Sequence, residues 1–146
     1  MGKTKLYLDS CVFLRVWFNE TTEEWRSFSD SKKLLDEIIN CTYNLVISKL
    51  TLIELKKKMN IKEDVLLNYF LREFKILNKL EIIDVTEKIA EEAVYFGGYY
   101  GVHKADALHT MLSKMNDCIL VTLDDELYAA ARKFSVDVKK PGELIP

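Results

Sequence analysis

The sequence predicts an α/β protein built on a buried, mainly parallel sheet. Three observations lead there. Short apolar runs rich in Leu, Ile and Val recur without clean alternation, as strands buried on both faces require. Helical patterns fill the gaps, so strands and helices alternate along the chain. Both prolines, Pro141 and Pro146, lie in the last few residues, and no Gly/Ser/Pro linker interrupts the body. The 146 residues therefore read as one domain, 1–146, around one core.

Lys5–Asp9 is the first strand, apolar up to the acid that ends it. Val12–Phe18 begins a helix, and Ser31–Cys41 is another. Asn44–Ser48 is the second strand. Lys49–Met59 and Lys62–Lys79 form a helical pair, broken near Met59-Asn60. Leu80–Val85 is the third strand. Thr86–Tyr100 and His103–Met115 form a second pair, separated around Gly101, and Gly97-Gly98 allows close backbone approach or bending. Cys118–Thr122 is the fourth strand, Glu126–Phe134 the last helix and Val136–Val138 a short fifth strand. Trp17–Asp30, rich in aromatic and acidic residues, carries no motif. Right-handed crossovers put helices on both faces of such a sheet. Ligands of open parallel sheets bind at the carboxyl ends of the strands, and Asp9 and Asp124 stand at or just past such ends.

Apolar residues make up 49% and charged residues 30%, ordinary for a soluble globular protein. A net charge of −2 removes any bulk pull on nucleic acid, so such binding needs a local basic patch. Cys11, Cys41 and Cys118 are odd in number and form no C-x-x-C pair, which argues against a disulfide framework or zinc ribbon and for reduced, cytoplasmic thiols. Lys3, Lys5 and Asp9 break up the only candidate leader, and no apolar run is long enough to span a membrane.

Four short acidic motifs carry the chemistry: Leu8-Asp9-Ser10, Thr51-Leu52-Ile53-Glu54-Leu55, Lys104-Ala105-Asp106-Ala107-Leu108 and Thr122-Leu123-Asp124-Asp125. Carboxylates cost free energy when drawn together away from water, and a fold that gathers several usually holds a hard cation, Mg²⁺ or Mn²⁺. Each acid also has a plainer reading. Asp9 fits a helix N-cap. Glu54 fits a capping box with Thr51. Asp106 shares a helical face with His109, Thr110 and Ser113, a face that is either solvated or the border of a cleft, while Ala105, Leu108, Leu112 and Met115 form the apolar face. Asp124 and Asp125 suit the start of the last helix, and Glu126 extends the cluster. The residues leave both readings open at every position.

The other candidates are fewer. His103 and His109 suit acid–base work in metal-free RNA cleavage, or simply structural or exposed positions. Cys11 pairs with a histidine as a nucleophile, or packs behind its strand. Lys56-Lys57-Lys58 meets phosphates, or forms a solvated face.

In this order and spacing the motifs resemble the PIN-domain family, especially its small VapC-like members. The matching pieces are Leu8-Asp9-Ser10, the segment from Ser48 to Glu54-Leu55, Asp106-Ala107, and Thr122-Leu123-Asp124. The closing Val136-Asp137-Val138 and Pro141-Gly142-Glu143-Leu144 match the family's last strand and tail. The resemblance implies a three-layer α/β/α sandwich with a central sheet of four or five strands. It implies Mg²⁺ or Mn²⁺ held by Asp9, Glu54, Asp106 and Asp124, with Asp9 and Asp106 the most direct ligands. Ser10, Thr122 and Glu126 would support them. It also implies an RNA substrate, a homodimer and a small inhibitory antitoxin. One departure is Cys11, two places after the first acid, where the family often has Asn or a small polar residue. A thiol is a poor Mg²⁺ ligand, which puts a hydrogen bond from this position in doubt. The expected activity is a metal-dependent ribonuclease, the toxin of a toxin–antitoxin pair. A non-catalytic PIN module binding RNA or protein, and a phosphotransfer domain using Asp9, are the rivals.

Overall fold

The computed structural model describes residues 4–18, 25–40, 42–74 and 80–146. Its strands are β1 (Lys5–Leu8), β2 (Asn44–Ser48), β3 (Leu80–Ile83), β4 (Ile119–Val121) and β5 (Val138–Lys139). They form one sheet in the order β3-β2-β1-β4-β5, with every neighbouring pair parallel. The chain winds outward from β1 to β3 on one side, then crosses to β4 and β5 on the other. The order therefore reverses between β1 and β4, where open sheets form their ligand crevice.

The helices are α1 (Ser10–Phe18), α2 (Trp25–Ile39), α3 (Lys49–Met59), α4 (Glu63–Glu73), α5 (Glu87–Tyr100), α6 (Lys104–Met115) and α7 (Asp125–Lys133). The lack of alternation in the strands has its expected cause, because successive strand residues feed two cores. Leu6, Leu8, Leu45, Ile47 and Val121 pack with α1 to α4 through Phe13, Leu34, Leu52 and Phe70. Tyr7, Val46 and Leu120 pack with α5 to α7 through Phe96, Met111 and Leu127. The result is the three-layer α/β/α sandwich.

Several bounds differ from expectation. Helix α2 starts six residues before Ser31. Its buried stripe is Ser31, Leu34, Leu35 and Ile38, and the serine in that stripe hides its start. Cys41, residues 19–24 and the tail of the expected Lys62–Lys79 helix at 75–79 lie outside the described residues. The expected strand at Val136–Val138 begins at Val138 instead. Val136 donates its amide to Ala131 O at 3.0 Å, closing the end of α7. Trp17 gains a role: its Nε1 donates to the Tyr69 hydroxyl at 3.0 Å, joining α1 to α4.

Helix α5 runs through Gly97 and Gly98 unbroken. A Cβ at Gly97 would come within 3.0 Å of Val102 O and 3.5 Å of Ala107 Cβ, so this glycine lets α5 meet α6 closely. Gly101 takes φ +66°, the left-handed turn that separates the two helices.

Candidate metal centre

The exits of β1 and β4 lie side by side. Asp9 continues the ladder for one residue, donating its amide to Val121 O at 2.9 Å. Its carboxylate is buried, 8% exposed as a residue. Oδ2 accepts from the Thr122 hydroxyl at 3.0 Å and from the Cys11 thiol at 3.2 Å. The doubt over position 11 is thereby answered: Cys11 does supply a hydrogen bond, to the acid and not to a cation. Burial, and then the charge of Asp9, push the Cys11 thiol far up, so it stays a protonated donor rather than a nucleophile.

Thr122 ties the first acid to the fourth. Its hydroxyl donates to Asp9 and accepts the Asp124 amide at 3.0 Å. Asp124 caps α7, with Oδ1 accepting from the Glu126 amide at 2.9 Å. The capping reading therefore holds for Asp124, which is exposed at the rim together with Glu126.

Glu54 is not used as a cap. The capping box of α3 is formed by Ser48 and Thr51, with Thr51 N donating to Ser48 Oγ at 3.1 Å. Glu54 lies one turn beyond and is free to reach the crevice. Its Oε1 accepts from His109 Nε2 at 2.8 Å. Burial works to raise its pKa, but the hydrogen bond and charge of His109 and a hydrogen bond from Ser10 hold it below the ordinary glutamate value.

His109 is the residue the sequence reading undervalued. It is 1% exposed, with Nδ1 2.6 Å from the Tyr7 hydroxyl and Nε2 3.7 Å from Asp9 Oδ1. Tyr7 in turn lies 2.7 Å from Ser48 Oγ. Burial disfavours the charged imidazole, but the bond to Glu54 and the charges of Asp9, Glu54 and Asp106 outweigh it and raise its pKa. The division of α6 into an apolar and a polar face is corrected by the same packing. His109, Thr110 and Ser113 are buried, while Met115 is partly exposed. Two signals in the sequence point to this. Ala105, Leu108, Met111, Leu112 and Ser113, all small or apolar, flank His109 on α6, as beside a buried position. Tyr7 also sits in a buried strand, where its hydroxyl needs a partner. His103, by contrast, is exposed at the start of α6.

Asp106 is half-buried on the first turn of α6. Burial, then the negative charges of Asp124 and Asp9, raise its pKa above the ordinary carboxylate range. Asp106 is thus within electrostatic reach of Asp9 and Asp124, but neither Asp106 nor Asp124 belongs to the tight cluster at the centre. Among the described residues, ligand atoms of Asp9, Glu54 and His109 lie within 4.8 Å of one another. Both nitrogens of His109 are already engaged, so the carboxylate oxygens are the available donors. A hard divalent cation would match this oxygen set and relieve the repulsion at Asp106, so the residues fit Mg²⁺ or Mn²⁺.

The model of the PIN domain family matches residues 6–133. No curated protein sequence matches the chain. The fold is similar to FitAcB from Neisseria gonorrhoeae, with TM-score 0.65 and 19% identity over 95% of this chain and 99% of that one. VapBC2 from Rickettsia felis, bound to a DNA fragment from its promoter, gives TM-score 0.65 and 16% identity over 94% of this chain and 98% of that one. The PIN domain endonuclease Utp24 gives TM-score 0.52 and 15% identity, over 93% and 84%. With the matched segment running from β1 through α7, the chain belongs to the PIN domain family.

Proposed function

We propose that this protein is a metal-dependent ribonuclease of PIN type, the toxin of a toxin–antitoxin pair, hydrolysing RNA phosphodiester bonds in the cytoplasm. One observation carries the reading: the carboxylates of Asp9 and Glu54 converge on His109 at the exits of β1 and β4, with ligand atoms of the three within 4.8 Å of one another. Asp9, Glu54, Asp106 and Asp124 would hold Mg²⁺ or Mn²⁺. When bound, such an ion lowers the pKa of a water and offsets charge on the phosphate. The protein's own residues set the geometry. Thr122 and Cys11 fix the Asp9 carboxylate, His109 and Ser10 fix that of Glu54, and Glu126 adds an acid at the rim.

Two surfaces support the partners. An apolar cleft of about 260 Å³, lined by Trp17, Met59, Ile61, Val65, Leu66 and Tyr69, suits an antitoxin segment. FitAcB and VapBC2 are neighbours in fold, and a neighbouring structure from Klebsiella pneumoniae is a toxin–antitoxin complex. Val94, Tyr95 and Tyr99 stand exposed on α5 and favour a second copy there. Among the described residues no helix is long and apolar enough to cross a membrane.

The test is labelled RNA incubated with Mg²⁺, with chelator, and with chelator followed by excess Mn²⁺. Cleavage is expected in the first and third only. Equal cleavage in chelator would overturn the metal-dependent reading and move attention to His103 and His109. RNA binding without cleavage would favour the non-catalytic module.

A further inference from the structure

A cleft of about 300 Å³ runs from the acidic centre along α7, between that helix and the α5–α6 corner. Its lining changes character along its length. Asp106 stands at one end, within electrostatic reach of Asp9 and Asp124. On α7, Glu126, Ala129, Ala130 and Lys133 all line it. Their three- and four-residue spacing puts them on one helical face. Lys133 lies seven residues beyond Glu126, roughly 10 Å along the helix axis. Between these ends the lining is Ala129 and Ala130 on α7 and Tyr100, Gly101 and Val102 at the α5–α6 corner.

The far end is cationic and unspent. Lys133 is exposed, and among the described residues it makes no ion pair, whereas Lys140 is held by Asp125 at 2.6 Å and Lys5 by Glu81 at 3.3 Å. His103, the N-cap of α6, lines the cleft between Lys133 and Asp106, within electrostatic reach of that acid, and its side chain caps nothing. The first intrahelical bond of α6 is Ala107 N to His103 O, so the amides before it add donors at the helix's positive end.

We propose that this cleft seats the nucleotide next to the scissile phosphate, with Lys133 and His103 gripping the flanking phosphate of the RNA strand. The inference rests on the ribonuclease reading, because only a cation-neutralised acidic end would admit a polyanion. The volume suits one nucleotide, Tyr100 offers a ring beside a base, and the separation of Glu126 from Lys133 along α7 suits successive groups along a strand. The cleft also supplies the local basic contact that a chain of net charge −2 needs in order to hold RNA.

The test uses the full chain with Lys133→Ala, His103→Ala and the double variant, and Lys32→Ala on α2 as control. Binding of a fluorescent, cleavage-resistant single-stranded RNA is followed by anisotropy in Mn²⁺ across a salt series. Lys133→Ala is expected to weaken binding and lower the slope of log Kd against log salt by about 0.7, the value for one phosphate contact on a single strand. In cleavage assays KM rises while kcat holds. His103→Gln, which keeps a donor, retains more affinity than His103→Ala. Unchanged slope and KM in a wild-type enzyme that does cleave RNA would overturn the subsite alone. Failure of the wild type to bind or cleave RNA would overturn the ribonuclease reading and the subsite with it. Competition by a free nucleoside monophosphate as effective as the RNA strand would assign the cleft to free nucleotides and overturn the strand reading.

Discussion

His109 donates through Nε2 to Glu54 Oε1 at 2.8 Å, and this bond fastens α6 to α3 across the exits of the sheet. The imidazole is fixed from behind by Tyr7, a β1 residue 102 positions away in sequence. Three elements that share no local sequence thus set the direction of one carboxylate. Groups that orient a metal's ligands commonly matter to metal affinity nearly as much as the ligands themselves.

Tyr7→Phe is therefore expected to weaken Mn²⁺ binding although Tyr7 touches no proposed ligand. The loss should be about tenfold, at the low end of such effects. The variant also leaves His109 Nδ1 without its buried partner, at a cost of about 1–3 kcal/mol in stability, whereas Ser48 Oγ keeps its bonds to Thr51. Calorimetric Mn²⁺ titration and a urea melt measure the two effects. Unchanged Mn²⁺ affinity in the folded variant would remove Tyr7 and His109 from the support of the site.

Stability without metal should depend on pH in a predictable direction. The raised pKa of His109 means that its charged form stabilises the fold below the ordinary histidine value. That contribution is lost as pH rises through the raised value. Glu54 acts in the opposite sense: its lowered pKa stabilises the fold above the ordinary glutamate value, and the gain is lost as pH falls through the lowered one. In chelator, the urea midpoint of the wild type should fall as pH rises above the ordinary histidine value and through the raised one. His109→Gln should flatten that limb. Parallel curves for the two proteins would show that His109 carries no such linkage.

Asp106→Asn separates a site residue from a solvated one. Cleavage should fall below detection while the fold survives, because the amide keeps the shape and loses the charge. The raised pKa gives a second readout. An acid that resists ionisation in the folded state destabilises the fold once ionised, at any pH above the ordinary carboxylate range. The metal-free variant should therefore melt no lower than wild type at neutral pH, and above it if repulsion dominates. A folded variant with near-wild-type activity would take Asp106 out of the site.

The parts of this site legible in the sequence were those marked by a change of pattern. Asp9 ends an apolar strand, and Thr122-Leu123-Asp124 follows another, so both acids could be placed at a strand exit without knowing the sheet order. Glu54 and His109 were harder for one reason. Each lies inside a helix that also satisfies a local rule, the Thr51 capping box for Glu54 and a polar stripe on α6 for His109. Local rules are blind to a bond between residues 55 positions apart. The order β3-β2-β1-β4-β5, which makes α3 and α6 meet at the crevice, is a long-range property. Ser31 shows the same limit on a smaller scale, since a buried serine in an apolar stripe looks like a helix boundary.

Asp9 is where the metal and purely structural readings diverge most sharply. If its carboxylate serves a cation, Mn²⁺ should raise the melting temperature of the wild type. A ligand that binds only the folded state stabilises it by roughly 2.7 kcal/mol at a hundredfold excess over its dissociation constant. Asp9→Asn should blunt that response. The amide oxygen can still accept from Thr122 and Cys11, which meet one carboxylate oxygen at 3.0 and 3.2 Å. The amide nitrogen would then face His109 Nε2, now 3.7 Å from the other oxygen, and two donors would oppose each other there. Loss of the negative charge also removes one of the influences that raise the pKa of Asp106. In chelator these changes act in opposite directions, so the Asn variant should stay near wild type, while in Mn²⁺ it should fall behind. A purely structural Asp9, holding Thr122 and Cys11 and no ion, predicts the same small change with and without metal. Thermal melts of both proteins, each in Mn²⁺ and in chelator, distinguish the two. A wild-type melt unmoved by millimolar Mn²⁺ would mean that the acids gather without binding the ion, and Asp9 would serve only to join Thr122 and Cys11.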